Sequence, residues 1–311
     1  MDLNEYLESR TDMVEQGLQT FIHDRFQDEL MELAAYMAIG GKRLRGAMAL
    51  LTCEAVGGVP EDAMVAACAV ELCQAASLVK DDVMDQDEER RGKVSFWKKY
   101  GIGMSLMASD LMAPHAMLFV QTYGLRAMGA VASAWARLAR GQLMDTPISG
   151  IFSVKEADYE SIIGLKTAPL FELPAELGVR AAKRDWLINM AKLYGFHCGM
   201  AFQVYDDAGD LLKFRGQPWE SMVKGKLPAS LQALKAHVEG GQLITEEDYT
   251  KTLGLAKPFI SGAQKAAQAF PDSSVKDYLF SLPQYYCDVI LSEALETMPT
   301  EAPSKPLGVE M

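Results

Sequence analysis

From Ala63 to Val79 only Glu71, Gln74 and Ser77 interrupt a run of apolar residues. A helix that is apolar nearly all round must be wrapped by other elements rather than laid on a surface. The periodicity predicts further helices around it, near 4–20, 22–38, 43–56, 61–90, 103–121, 125–144, 155–178, 183–213, 228–238, 246–269 and 273–296. Gly40-Gly41, Gly57-Gly58, Gly101, Gly124, Pro147, Gly216 to Pro218 and Pro271 separate them, and Pro114 is expected to kink its helix. No stretch alternates apolar and polar residues as a half-buried strand does. The chain therefore reads as all-α, one helical bundle over residues 1–298 with a flexible proline-bearing tail at 299–311.

Two of these helices carry clustered acids: Asp81, Asp82 and Asp85, then Asp206, Asp207 and Asp210. Residues i and i+4 share a helix face, so each cluster presents two carboxylates together with a third beside them. If the two helices face each other, six acids repel unless cations lie between them. With no Cys or His close by, the donor set suits Mg²⁺, which typically bridges protein carboxylates to substrate phosphates. Neither register starting at Asp81 or Asp85 has the Gly of an EF-hand loop. For one such cluster alone, a solvated acidic face is the competing reading; a matched pair in apolar helices is harder to explain that way.

The net charge of −12 and pI near 4.9 disfavour nucleic-acid binding. Cys53, Cys68, Cys73, Cys198 and Cys287 are scattered through apolar helices, which suits reduced core thiols, a cytoplasmic location and no zinc site. The N-terminus has no signal-peptide core, and no apolar run is expected to span a membrane. His23, His115, His197 and His237 fall outside every motif.

Read together, the motifs resemble the trans-prenyl diphosphate synthases (the polyprenyl synthetase family), and most of all the geranylgeranyl and geranylfarnesyl diphosphate synthases. The resemblance covers roughly residues 36–230 and keeps the family's order. Gly40-Gly41-Lys42-Arg43-Leu44-Arg45 matches GGKRxRP, with Gly46 where proline is usual. Asp81 to Gly92 matches DDxxDxxxxRRG; Gly141-Gln142 with Asp145 matches GQxxD; Lys166-Thr167 matches the KT pair. Phe202-Gln203 with Asp206, Asp207 and Asp210 matches the second aspartate motif, and Gly225-Lys226 the late GK element.

The resemblance implies an isoprenoid-synthase bundle with a central catalytic cavity, a homodimer, and two substrates, isopentenyl diphosphate and an allylic diphosphate. It also implies Mg²⁺, three ions in all. Asp81, Asp85 and Asp206 are the expected direct ligands, with Asp82, Asp207 and Asp210 acting more through water. Arg90, Lys166 and Lys226 are expected on the allylic diphosphate, with Asp207 also on the substrate side. Thr167 and Gln203 are expected beside the reacting carbons. Lys42, Arg45 and Arg91, with Gln74 close by, are expected to hold isopentenyl diphosphate; Lys42 and Arg45, three apart, are expected on one helical face. The bland alternatives are a solvated basic turn for Lys42 to Arg45, a salt-bridged face for Arg90-Arg91 and a satisfied core amide for Gln203.

Cys73, Ala76 and Ser77 lie one to two turns before Asp81 and are small. A turn rises about 5.4 Å, close to one isoprene unit. Small residues there predict a linear all-trans product of about twenty to twenty-five carbons, unless Met107 or Leu111 blocks the way; tight helix packing is the alternative use of small residues. Gln74 and Lys80 stand where histidine is usual, Gln217 where a lysine is usual, and the aspartate before the late GK is missing. Two rivals remain at this point: a class I terpene cyclase, which needs no second diphosphate site, and a weakly active or non-catalytic partner subunit.

Overall fold

The computed structural model describes residues 2–38, 40–146, 158–224 and 226–296. Pro147, Gly225 and the tail at 299–311 lie outside them. The helices are α1 (Leu3–Arg25), α2 (Asp28–Ala38), α3 (Leu44–Ala55), α4 (Met64–Asp85), α5 (Phe96–Tyr100), α6 (Ile102–Val120), α7 (Leu125–Asp145), α8 (Tyr159–Lys166), α9 (Pro169–Ala181), α10 (Ile188–Lys213), α11 (Ala229–His237), α12 (Glu246–Ala267) and α13 (Lys276–Glu296). The all-α expectation holds, and Pro114 is accommodated within α6.

Helix α1 starts on a capping box, in which the Asp2 side chain accepts the Glu5 N–H and the Glu5 side chain accepts the Asp2 N–H. It runs past the expected break at residue 21 and ends at Arg25, because Phe21 and Ile22 continue its buried face. Helix α9 is buried over nearly its whole length. It packs against α3, α4, α7 and α10, so it joins the helices that carry the two acid clusters. Around it lie apolar clusters built from α3, α10 and α13 on one side and α4, α6 and α7 on another.

Three expectations need correction. The helix expected over 61–90 stops at Asp85, where Gln86 turns left-handed (φ 57°). A two-stranded hairpin follows: β1 (Glu89–Arg90) pairs with β2 (Lys93–Val94) around Arg91 and Gly92, both at positive φ (53° and 70°). Two-residue turns of that hand match the twist of the strands. The pairing escapes sequence reading because strands this short show no alternation. Second, the helix expected over 155–178 is split into α8 and α9, since Pro169 opens a new helix and cannot donate a backbone bond into the old one. Third, Pro60–Asp85 is long and apolar enough to cross a membrane by composition, yet 72% of its most apolar stretch is buried inside the fold, as a core helix requires.

Candidate active site

The last turn and a half of α4 holds the first acids. Asp82 is buried and ion-paired with Arg90, whose Nε lies 2.7 Å from Asp82 Oδ1. The hairpin makes this contact possible by folding Arg90 back onto the helix it follows. Asp81 is half-buried, and burial raises its carboxyl to about 6 against the pull of Lys166. Asp85 is exposed at the helix end, and its carboxyl is also raised, chiefly by desolvation.

Lys166 closes α8 and aims at these acids. Its Nζ lies 2.6 Å from Asp145 Oδ2, while Asp145 Oδ1 accepts the Ser230 N–H at 2.8 Å. Burial acts to lower the Lys166 pKa, but Asp145, Asp81 and Asp85 together outweigh it and hold the ammonium above its usual range. The approach of α7 to α8 depends on Gly141. A Cβ there would sit 2.3 Å from the Lys166 backbone nitrogen, so no larger residue fits without moving Lys166.

The next residue faces the other cluster. Thr167 Oγ1 donates to Gln203 Oε1 at 2.6 Å. That bond fixes the amide orientation, so Gln203 Nε2 donates to Asp207 Oδ1 at 3.0 Å and reaches Asp206 Oδ2 at 3.5 Å. Tyr159 Oη donates to the other Asp207 oxygen. Even so, burial raises the Asp207 carboxyl to about 8. Asp206 is exposed on α10, yet desolvation by the surrounding protein and repulsion from Asp210 raise it to about 6. Asp210 is paired with Lys213 at 3.0 Å. The bland reading of Gln203 as a satisfied core amide is too weak, because its partners are two of the clustered acids.

The second basic group forms around α3. Arg91, at the hairpin turn, donates from Nη1 to Gly40 O at 2.6 Å, and its guanidinium would meet a Cβ on Gly41 at 2.7 Å. Glycine at 41 therefore admits the guanidinium as well as a φ of 104°. Arg45 lies over the rings of Phe171 and Phe202, at 4.4 and 5.2 Å. Burial lowers its pKa to about 10, and its field is felt by Asp206. Arg43 is no solvated turn residue: it is buried against Glu15, at 2.6 Å, and Glu71. Glu71 also accepts the Gly46 N–H at 2.8 Å, a bond that proline at this position could not make.

Lys42 needs correction. Helix α3 begins at Leu44 after Arg43 in the left-handed region (φ 52°), so Lys42 is outside the helix and shares no face with Arg45. Its ammonium pairs with Glu293 instead. Lys226 is likewise not brought to the acids; it is exposed and lines a surface groove with Glu220, Gln232 and Lys235. Gln74 is half-buried on α4, one turn from Glu71. Cys73, Ala76 and Ser77 are each at most 5% exposed. Ala76 packs with Ala108 and Met112, and Cys73 with Leu170 and Leu173. Met107 and Leu111 face outward, so Ala108 and Met112 are the α6 residues set against α4.

Two further residues of the site carried no assigned role in the sequence. Asp145 stands in the GQxxD motif, but its hold on Lys166 depends on how α7 and α8 meet. Tyr159 belongs to no motif, and only the fold brings it to Asp207.

Comparison with known proteins agrees with this geometry. The polyprenyl synthetase family profile matches residues 27–217. A dimethylallyltranstransferase of Fischerella ambigua is 32% identical over 91% of this chain and 83% of its own. A geranylfarnesyl diphosphate synthase of Methanosarcina mazei is 28% identical over 92% and 94%. Among solved structures, a geranylgeranyl pyrophosphate synthetase of Geoglobus acetivorans superposes with TM-score 0.74 at 25% identity, covering 91% of this chain and 99% of that one. Two acid-bearing helices joined through a buried central helix, with cations aimed at both, define a helical prenyltransferase. The chain belongs to the polyprenyl synthetase family and is a prenyl-transferring enzyme.

Proposed function

We propose that the protein condenses isopentenyl diphosphate head to tail with an allylic diphosphate, using Mg²⁺, to give a linear all-trans product of about twenty to twenty-five carbons. One observation carries this reading: the Lys166-Thr167 pair connects both acid clusters. Lys166 faces Asp81 and Asp85, and Thr167 reaches Asp206 and Asp207 through Gln203. A leaving diphosphate needs cations on several sides, and this pair joins the two places where they would gather.

The residues fit Mg²⁺. Every donor in the two clusters is a carboxylate oxygen, and desolvation raises the Asp81, Asp206 and Asp207 carboxyls above their usual range. Among the described residues no group of three or more such side chains is drawn together to hold an ion by itself, so water and substrate oxygens would have to complete any Mg²⁺ shell. Bound there, Mg²⁺ would neutralise the charge of the departing diphosphate. Asp81, Asp85 and Asp206 would hold it directly, and Asp82, Asp207 and Asp210 through water.

The chain's own residues do the rest. Lys166 contributes a fixed ammonium that Asp145 holds in place. Gln203 Oε1, held by the Thr167 hydroxyl, offers a dipole that would stabilise an allylic cation formed beside it. Arg45 and Arg91 offer guanidinium forks suited to the second diphosphate. A binding site of that kind argues against a cyclase, and retention of all six acids argues against a non-catalytic subunit. The curated relatives include geranylgeranyl, geranylfarnesyl and hexaprenyl synthases, which supports a product of twenty carbons or more. Outward-facing Met104, Met107 and Leu111 on α6 suit a homodimer contact.

The test is to incubate the protein with Mg²⁺, isopentenyl diphosphate and dimethylallyl, geranyl or farnesyl diphosphate, and to read product length by mass spectrometry. A linear diphosphate of twenty or more carbons is expected. A cyclised hydrocarbon, or no elongation with any primer, would overturn the reading.

A further inference from the structure

Gln217 is neutral and exposed, and its backbone carbonyl is engaged by the Ile244 N–H at 2.9 Å, next to a bridge between Pro218 and Leu243. The same loop carries Lys224 across to the other half of the molecule. Lys224 Nζ donates to Gln86 O at 3.0 Å and stands 3.6 Å from Asp87 Oδ1. Gln86 directly follows Asp85, one peptide from the first acid cluster. We infer that Lys224 supplies the cation that holds the allylic diphosphate from the α10–α11 side, on a loop where neutral Gln217 stands at a position usually lysine. The inference rests on the reading of the site as one that ionises a diphosphate.

Of the other cations nearby, Lys213 and Arg90 are held by acids, and Lys226 lies on a surface groove. Lys213 hydrogen-bonds Asp210 on its own helix at 3.0 Å. Arg90 is engaged with buried Asp82. Lys226 lines the groove with Lys235. Lys224 differs in the character of its bonds. Its one hydrogen bond goes to a neutral carbonyl, and its carboxylate contact lies beyond hydrogen-bond distance and is shared with Arg90, 3.5 Å from the other Asp87 oxygen. A diphosphate oxygen offers a charge-assisted bond, about twice as strong as one to a neutral acceptor. The ammonium is mostly exposed, at 61%, so it gives up little to turn a few ångströms towards Asp85. Trp97 Nε1 donates to Asp87 O at 2.7 Å, which places an indole where it senses the exchange.

The experiment compares the full-length wild type with Lys224→Ala, Lys224→Arg and the double variant Lys224→Ala/Gln217→Lys. Binding of inorganic pyrophosphate in the presence of Mg²⁺ is followed by calorimetry and tryptophan fluorescence, alongside KM for geranyl and isopentenyl diphosphates. Lys224→Ala should weaken pyrophosphate binding and raise KM for the allylic substrate about tenfold, leaving KM for isopentenyl diphosphate and the melting temperature unchanged. Lys224→Arg and the double variant should recover most of the loss. Pyrophosphate affinity equal to wild type in Lys224→Ala, or an equal rise in both KM values, overturns the inference. Wild type that forms linear product while Lys224→Ala binds normally leaves the functional reading standing and removes only Lys224. Wild type that forms no product but loses pyrophosphate affinity in Lys224→Ala sinks the functional reading and overturns the assignment to an allylic substrate, leaving Lys224 a pyrophosphate contact alone. Wild type that neither elongates nor binds pyrophosphate sinks both.

Discussion

Asp145 Oδ2 takes the Lys166 ammonium at 2.6 Å while its other oxygen is held by the Ser230 backbone N–H at 2.8 Å. The carboxylate thus has no freedom to follow the lysine, and the lysine is positioned by α7 and by the start of α11. Asp145→Asn keeps the shape and removes the charge. Losing a charge-assisted bond of this kind costs about 1.5–3 kcal/mol, so kcat should fall roughly tenfold to a hundredfold with a smaller change in KM for isopentenyl diphosphate. Steady-state kinetics for each substrate checks this; a variant with wild-type kcat would remove Asp145 from the site.

The Thr167–Gln203 bond predicts non-additivity. Thr167→Val frees the amide of Gln203 to flip, and Gln203→Leu removes the same interaction from the other end. Residues that act through one bond show coupling of about 0.5–3 kcal/mol. The double variant should therefore be hardly slower than the worse single variant. Rates that multiply would show the two residues acting independently.

The acids set a pH dependence of unusual sign. Burial raises Asp207 to about 8, and Asp81 and Asp206 to about 6, all above the unfolded value near 3.9. The folded protein therefore binds more protons than the unfolded one across that window, and its metal-free stability falls as pH rises through it. The melting temperature without metal should drop by several degrees from pH 5 to pH 8, with a shallower slope in Asp207→Asn. Mg²⁺ with pyrophosphate should recover more stability at pH 8 than at pH 5, since the acids must lose protons to bind it. Differential scanning calorimetry across pH measures both.

Ser77, one turn before Asp81 and 5% exposed, is the place to test product length. Ser77→Phe should shorten the product by about one isoprene unit, since one helical turn and one unit span similar lengths. Mass spectrometry of the product reads the outcome directly, and an unchanged length would move the chain to another path.

The helical architecture and the acid clusters were legible because each rests on local spacing: period 3.6 in the apolar residues, and i, i+4 in the acids. What escaped was whatever needs two elements to meet. Asp145 sits in a visible motif, yet its bond to Lys166 exists only because Gly141 lets α8 come close. Tyr159 carries no local signal. Lys42 shares no face with Arg45 because it precedes the helix, where Arg43 takes a left-handed backbone and buries its guanidinium against Glu15 and Glu71. The Arg90–Asp82 pair required a hairpin too short to show alternation.

The break between α8 and α9 bears on how such a site can drift over evolution. Lys166 and Thr167 are neighbours in the chain, so their Cα atoms are fixed about 3.8 Å apart by a single trans peptide. The spacing between the part of the site that meets the first acids and the part that meets the second is therefore a covalent constant. Substitutions in the surrounding bundle can loosen or tighten helix contacts, and with them the room for a growing chain, without changing that ruler.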